Sequence, residues 1–343
     1  MNMAWKEMMK SKAKFIILGS IIFLVSFLTF IISGLANGLS HDNAALIKDL
    51  PKGYFYMNTE AKKTYNLSKI DPSLQEQMMK EHEDAAAFSI QMGFVNDAED
   101  KQHTVAFVTS TDSPFFEKVA PGEIVLDRSL EKDGIKVGDV LTNNQFNGQF
   151  KVVKFVDQKK YSHAPVAFVN MDNYKEIYRT KGMQLMFVPG KDTASITGLD
   201  SFSNNEFLNT ISSYKAENMS LNMIIWFLIA ISGLLFAIFF YMMNVQKIGL
   251  YGILKAIGVK TSTLFRMMWS QMFFITLIAL VLSVALSQGF NMIAPEGMPF
   301  SLTLSATIQL SVLFLVIGFI GATLSGLQIR KVEPLQAIQQ GDM

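Results

Sequence analysis

The chain has 343 residues, is 50% apolar by residue type and carries a net charge of +1, values that on their own suit an ordinary globular protein as well as a membrane one. Its 0 Cys exclude disulfides, thiolate metal sites and cysteine nucleophiles. The charges are segregated: residues 41–217 hold 20 Lys or Arg against 25 Asp or Glu, and the remainder holds 10 against 4, so the basic residues hug apolar stretches and no basic surface for nucleic acid is offered.

Taken in chain order, residues 1–14 read as a cytoplasmic amphipathic N-terminus with Lys6, Lys10, Lys12 and Lys14. Residues 15–40 then run without a charge, and the same is true of 218–246, 267–295 and 297–329. About 20 uninterrupted apolar residues suffice to cross a bilayer as a helix, which alone satisfies its own backbone polar groups where there is no water. Four transmembrane helices are predicted. The first apolar run is longer than a secretory-signal core of roughly 7–15 residues and no small-residue cleavage site follows, so a retained anchor is expected.

Residues 41–217 are long enough for a domain with its own core. Strand-like runs occur at Thr104–Val108, Glu123–Leu126, Phe150–Val156, Val166–Val169 and Gln184–Val188, and helix-like pieces at Ser73–His82, Ser113–Val119, Arg128–Asp133 and Met171–Arg179. Gly134 and Gly138 punctuate the turn between them. An α+β domain inserted between the first two spans is predicted. At its end, Ser203 and Glu206 have capping-box spacing, Phe207, Leu208, Ile211 and Tyr214 share a helix face, and no Pro or Gly intervenes from Ser203 to Ile231. That pattern predicts a stalk continuous with span two, with span one projecting to Asn43 or beyond. Such rods either carry motion or simply support the domain.

Residues 247–266 are basic, with Lys247, Lys255, Lys260 and Arg266 and no acid, and Arg330 and Lys331 open the 330–343 tail. The positive-inside rule therefore places both termini and the 247–266 loop in the cytoplasm and the 41–217 domain outside the cell. Within the loop, Ile248, Tyr251, Ile253, Leu254 and Ile257 form a short apolar stripe ended by Gly258, as in a helix lying at a membrane surface. Val259 separates Gly258 from Lys260, and the glycine spacing of a phosphate loop is missing, so no ATP site of that kind is predicted. The four His (His41, His82, His103, His163) lack metal-ligand spacing. No enzyme activity is expected.

Between spans, Gly34 with Gly38, and Gly318, Gly321, Ala322 and Ser325, make small-residue stripes suited to close helix packing. Asn37, Asn222, Asn244, Gln271, Gln288 and Gln309 are uncharged polar groups at or within spans, expected to bond neighbouring helices.

The four-span layout with one large external insert, and the segment Gly252-Ile-Leu-Lys-Ala-Ile-Gly258, resemble the FtsX/MacB-type permeases of ABC transporters. Ile32-Ser-Gly-Leu-Ala36, Ser213-Tyr-Lys-Ala-Glu217, Leu221-Asn-Met-Ile224, Phe239-Phe-Tyr241, Gln246-Lys-Ile248, Met298-Pro-Phe300 and Lys331-Val-Glu-Pro-Leu335 bring it nearest to the Hrt-type hemin permeases. Gly122-Glu-Ile-Val-Leu126 and Gly134-Ile-Lys-Val-Gly-Asp139 resemble MacB-type external domains more loosely. The resemblance implies a homodimer in the lipid bilayer bound to two copies of an HrtA-like ATP-binding subunit. Tyr251, Gly252, Leu254, Lys255, Ile257 and Gly258 would then be the coupling element pressed into each ATPase.

It also implies hemin as transported ligand rather than cofactor, exported to relieve excess, with no metal beyond heme-iron contacts. A hemin site needs iron ligands, a flat apolar slot and cations for the propionates. Near the outer ends of spans one and two the chain offers His41, Asp42, Tyr214, Met219 and Met223, with Lys48 and Lys215 as cations and Phe27 and Phe30 as a wall. The alternatives on the same scaffold are an exporter or sensor of peptide or lipid-linked substrates, and an FtsX-like mechanotransmitter controlling a cell-wall hydrolase.

Overall fold

The structure, a computed structural model, describes residues 9, 12–180, 182–191, 196–295 and 298–331, the last four of these by backbone alone. Most of the 1–14 segment and residues 332–343 of the tail, including the Val332–Leu335 part of the family signature, lie outside the described residues. The chain divides into two compact units, one of Met1–Gly38 with Ser220–Met343 and one of Leu39–Met219.

The first unit is helical. Helices α1 (Lys12–Lys48), α5 (Ser212–Val245), α7 (Thr261–Ile293) and α8 (Leu304–Lys331) are each long and apolar enough to cross a membrane, the four spans expected. Their shared core is made by Phe236, Phe240, Met268, Met272 and Phe314. Several polar side chains on these helices are paired across helices, as an apolar medium favours, while the buried Ser287 hydroxyl has no partner among the described residues. Ser26 and Ser283 share a 2.6 Å hydrogen bond, Trp269 Nε1 donates to Thr323 Oγ1 at 3.0 Å, and Gln288 Nε2 donates to Thr307 Oγ1 at 3.1 Å.

The fourth span starts later than its apolar run implies. Residues 298–303 are not helical: Pro299 and Phe300 lie over α1, and Ser301 N donates to Gly34 O at 2.9 Å. A side chain at Gly34 would strike the Phe300 ring, and one at Gly38 would strike the Pro299 carbonyl. The Gly34/Gly38 pair therefore seats this turn rather than another helix. The α8 stripe does seat a helix, since a Cβ on Gly321 would stand 3.1 Å from Ala237 N and 3.4 Å from Gly233 O of α5.

The second unit is α+β, as expected. Its strands are β1 (Gly53–Asn58), β2 (Ala86–Asn96), β3 (Gln102–Ser110), β4 (Glu123–Asp127), β5 (Val140–Asn143), β6 (Phe146–Val156), β7 (Lys160–Tyr161), β8 (Ala164–Val169), β9 (Leu185–Pro189) and β10 (Leu199–Ser203). They form one mixed sheet in the order β10-β1-β9-β2-β3-β8-β4-β6-β5, with β7 hairpinned to β8 and β5 returning to touch β2. Helices α2 (Pro72–Glu81), α3 (Met171–Tyr178) and α4 (Asn204–Leu208) complete it. One core, around Phe55, Phe88, Phe187 and Phe207, also takes in Ala44, Leu46 and Ile47 from the end of α1. Another, around Phe107, Phe150 and Tyr174, fills the curled half of the sheet.

Two expected helical features differ. Residues 113–119 are not a helix: the Ser113 hydroxyl accepts from Phe115 N at 3.1 Å, and Phe116 and Phe115 pack on Phe88 and Phe187, with ring centroids 4.9 and 5.4 Å apart. The stalk does not run unbroken from Ser203. Glu206 reaches back to Ser203 N at 2.8 Å, so α4 starts as expected, but it stops at Leu208. There the Asn209 amide donates to Asn205 O and the Thr210 hydroxyl to Phe207 O, side-chain bonds that compete with helix continuation. The continuous rod is α5, whose 34 residues span about 50 Å at the helical rise. Helix α1 likewise passes Asn43 to Lys48, with one non-helical residue, Ala44 (φ −144°).

Candidate ligand site and candidate coupling surface

In the external unit the end of α1 faces the start of α5 through a polar cluster centred on Asn43. This side chain is fully buried, donates to Glu217 Oε2 at 2.8 Å and accepts from Ser213 Oγ at 3.3 Å. The β7–β8 hairpin closes the cluster. Its two turn residues, Ser162 and His163, have φ of 49° and 64°, the left-handed pair that a two-residue hairpin of this twist demands. Ser162 N donates to Asn43 O at 2.7 Å. His163 Nε2 lies 3.0 Å from Glu217 Oε2 and its Nδ1 lies 3.5 Å from Asp42 Oδ2, while Lys160 Nζ donates to Asp42 Oδ1 at 2.6 Å.

Of the residues expected to form a ligand site, the structure brings some to this region and engages them differently. Asp42 is occupied by Lys160 and His163, so it is part of the hairpin clamp. His41, half-buried on the same turn, has no hydrogen-bond partner among the described residues. Tyr214 is half-buried with the Lys48 ammonium 5.1 Å from its ring centre, and Lys48 also donates to Ser40 Oγ at 2.7 Å. Met219 is 71% exposed at the end of this unit, and Met223, in the helical unit, is 56% exposed. The proposed wall does not form as expected: Phe30 is fully buried in the helical core against Phe314, and Phe27 stacks on Phe23. Asn43, Lys160, His163 and Glu217 were not singled out from the sequence. The only local hint is the short turn between β-branched and aromatic runs that puts His163 at a tip.

In the helical unit, residues 247–260 form the expected short helix, α6 (Ile248–Ala256). Its end is a Schellman motif: Gly258 N donates to Lys255 O and Val259 N to Leu254 O, with Gly258 at φ +90°. The expected single apolar stripe divides in two. Tyr251, Gly252 and Leu254 turn inward and are buried, whereas Leu250, Ile253 and Ile257 are 45%, 52% and 73% exposed. The inward face is pinned by hydrogen bonds: Tyr251 Oη donates to Asn244 Oδ1 at 3.2 Å, and Asn244 Nδ2 donates to Ser325 Oγ at 3.2 Å and approaches Met268 Sδ at 3.4 Å. One buried amide thus ties α6 to α5, α7 and α8. The buried ammonium of Lys247 sits 5.5 Å from the centre of the Phe15 ring on α1.

Among the described residues no cluster of three or more His, Asp or Glu has the arrangement of a metal site.

Residues 222–334, which take in α6 and its anchors, match the family model described as FtsX-like permease C-terminal. Over nearly its whole length the chain is similar to a Staphylococcus haemolyticus (strain JCSC1435) protein that carries the name hemin transport system permease protein HrtB. The two are 29% identical over 354 residues, covering 98% of this chain and 99% of the relative. The protein of the same name from Staphylococcus epidermidis (strain ATCC 35984) is 28% identical over 352 residues, covering 99% and 100%. The crystal structure of the periplasmic region of MacB from Actinobacillus actinomycetemcomitans aligns at 11% identity with a TM-score of 0.35, covering 46% of this chain and 92% of that one. The resemblance to FtsX-type and Hrt-type permeases read from the sequence is borne out.

Proposed function

We propose that this chain is the membrane-spanning subunit of an ABC-type transporter that moves hemin from the membrane to the exterior, driven by separate ATP-binding subunits. The observation that carries the reading is the divided α6 helix: an exposed apolar face at Leu250, Ile253 and Ile257 backed by a buried face whose Tyr251 bonds Asn244 of α5, which in turn contacts α7 and α8. An exposed apolar patch of this kind marks a surface that a partner covers. Force applied there by an ATPase closing on ATP enters the helical unit through Asn244 rather than being lost in a flexible loop. The basic residues flanking α6 in the sequence support a cytoplasmic α6 and an external 41–217 domain by the positive-inside rule. A homodimer with two ATPase copies gives each α6 its own motor, and hydrolysis stays with that partner.

Hemin is the cargo named for both staphylococcal relatives. For this chain the groups that suit it are His41, whose imidazole has no competing hydrogen bond among the described residues, and Tyr214 as iron-side contacts. Met219 supplies exposed soft, apolar surface on the same unit, and Lys48 and Lys215 are cations for the propionates. Asp42 contributes indirectly, by holding the hairpin.

Absorbance titration of the purified protein with hemin tests the cargo, comparing the parent with His41→Ala, Tyr214→Phe and Met223→Ala. A shifted Soret band in the parent that weakens in at least one variant is expected. No binding by the parent would discard hemin in favour of peptide or lipid-linked cargo, or of control over a cell-wall hydrolase. The coupling surface is tested separately by Ile253→Glu with Ile257→Glu: the ATPase is expected to co-purify with the parent and not with the double variant.

A further inference from the structure

Strand β2 changes neighbours along its length. Ala86–Phe88 pair with β9, and Asn96 faces Thr142 of β5, but between them the edge opposite β3 has no strand beside it. The two flanking strands diverge there, and a cleft of ≈ 770 Å³ opens between β2, the β5–β6 turn and the end of α3. Polar atoms line it more than apolar ones, and its polarity comes from amides: Gln91, Asn96, Gln102, Asn144, Gln145 and Asn147. Among the described residues no carboxylate lines it and Arg179 is its one cation, while Met92 and Phe94 stand 40% and 47% exposed.

The open edge is guarded. Ile90 N donates to Gln184 Oε1 at 2.8 Å, Tyr178 Oη donates to Met92 O at 3.2 Å, and Asn143 Nδ2 donates to Phe94 O at 2.6 Å. These are three of the backbone groups that an added peptide strand would need, so strand addition is disfavoured. Of the lining amides, Asn143 is engaged in this way and Gln91 Oε1 accepts from Gln184 Nε2 at 3.4 Å, but others are the reverse case. Asn96 Nδ2 contacts Asn144 Oδ1 at 3.2 Å, but the side chains of Gln102, Gln145 and Asn147 have no hydrogen-bond partner among the described residues. A lining without acids does not suit a cation, and one arginine does not hold a polyanion.

We propose that this cleft binds a neutral oligosaccharide. Each amide offers both donors and acceptors, the combination that vicinal hydroxyl and acetamido groups require. The Phe94 ring offers the flat apolar face against which the C–H side of a pyranose packs, and Met92 extends it. The inference concerns the external unit alone and does not depend on the cargo.

The test uses the full chain in lipid nanodiscs, because a maltoside detergent would itself compete, with chitotetraose as probe and isothermal calorimetry or saturation-transfer NMR as readout. Saturable binding is expected, weakened about tenfold by Phe94→Ala, as for an anchoring aromatic, and abolished by Gln102→Ala with Asn147→Ala. All three positions are exposed, so unchanged thermal unfolding and an unchanged hemin titration are expected alongside. Absence of binding to both chitotetraose and maltotetraose overturns the proposal, as does binding indifferent to these variants. Displacement of the sugar by an uncharged extended Ser/Gln peptide that binds more tightly and needs the same residues would assign the cleft to peptide instead.

Discussion

Asn43 shows how much a single side chain can organise. It is fully buried between a carboxylate, a hydroxyl and a strained turn, and its own carbonyl caps Ser162. Replacing it by Ala leaves Glu217 short of a partner in a poorly hydrated place, and a destabilisation of about 2 kcal/mol is expected in chemical denaturation. At another turn, Asp97 accepts from His103 Nε2 at 2.9 Å and from the Lys101 and Glu99 amides, and these bonds hold its carboxyl below the usual carboxylate range, the His103 bond first. A carboxyl depressed in the folded state adds stability that is complete above its ordinary pKa and lost as pH falls through the folded value. The protection of the β2–β3 turn amides relative to intrinsic exchange is therefore expected to fall on acidification in the parent and to stay constant in Asp97→Asn. None of the Asn43 cluster could be read from the sequence, since Asn43, His163 and Glu217 are separated by 120 and 54 residues and met only when the domain closed.

At the scale of elements, local rules worked where local bonds decide and failed where packing does. The α6 stop at Gly258 was legible because a left-handed terminus favours glycine whatever surrounds it; Gly258→Ala is expected to cost about 1–2 kcal/mol through its positive φ alone. Which face of α6 turns inward was not legible, because both faces are apolar and only Asn244 on a neighbouring helix breaks the tie. Tyr251→Phe removes that hydroxyl while keeping the ring. The expected outcome is retained ATPase binding with weakened stimulation of transport over hydrolysis, measured in proteoliposomes. Close packing of α8 on α5 rests on Gly321, where Gly321→Leu would press into the α5 backbone and lower the thermal midpoint of the helical unit by an amount reflecting about 2–3 kcal/mol. Residues 113–119 had helical composition, yet two adjacent Phe rings found more burial on the sheet than a helix could have offered both.

At the scale of the whole molecule, the segregation of charge is the organising fact: a nearly neutral total conceals an acidic section between basic membrane flanks. The lack of native Cys makes the arrangement directly measurable. Single cysteines at Lys154 and Lys260 are expected to react with a membrane-impermeant maleimide from opposite sides, Lys154→Cys in intact cells and Lys260→Cys only after lysis. Labelling of both from outside would remove the cytoplasmic surface that the proposed motor needs. Four bilayer-length helices and an α+β insert were determined by the sequence itself, because crossing a membrane depends on length and composition along a contiguous stretch. The tertiary structure alone decided which polar side chains meet at Asn43, which face of α6 stays exposed, and where β2 parts from its neighbours. Those outcomes depend on contacts between residues far apart in the chain, which no local pattern encodes.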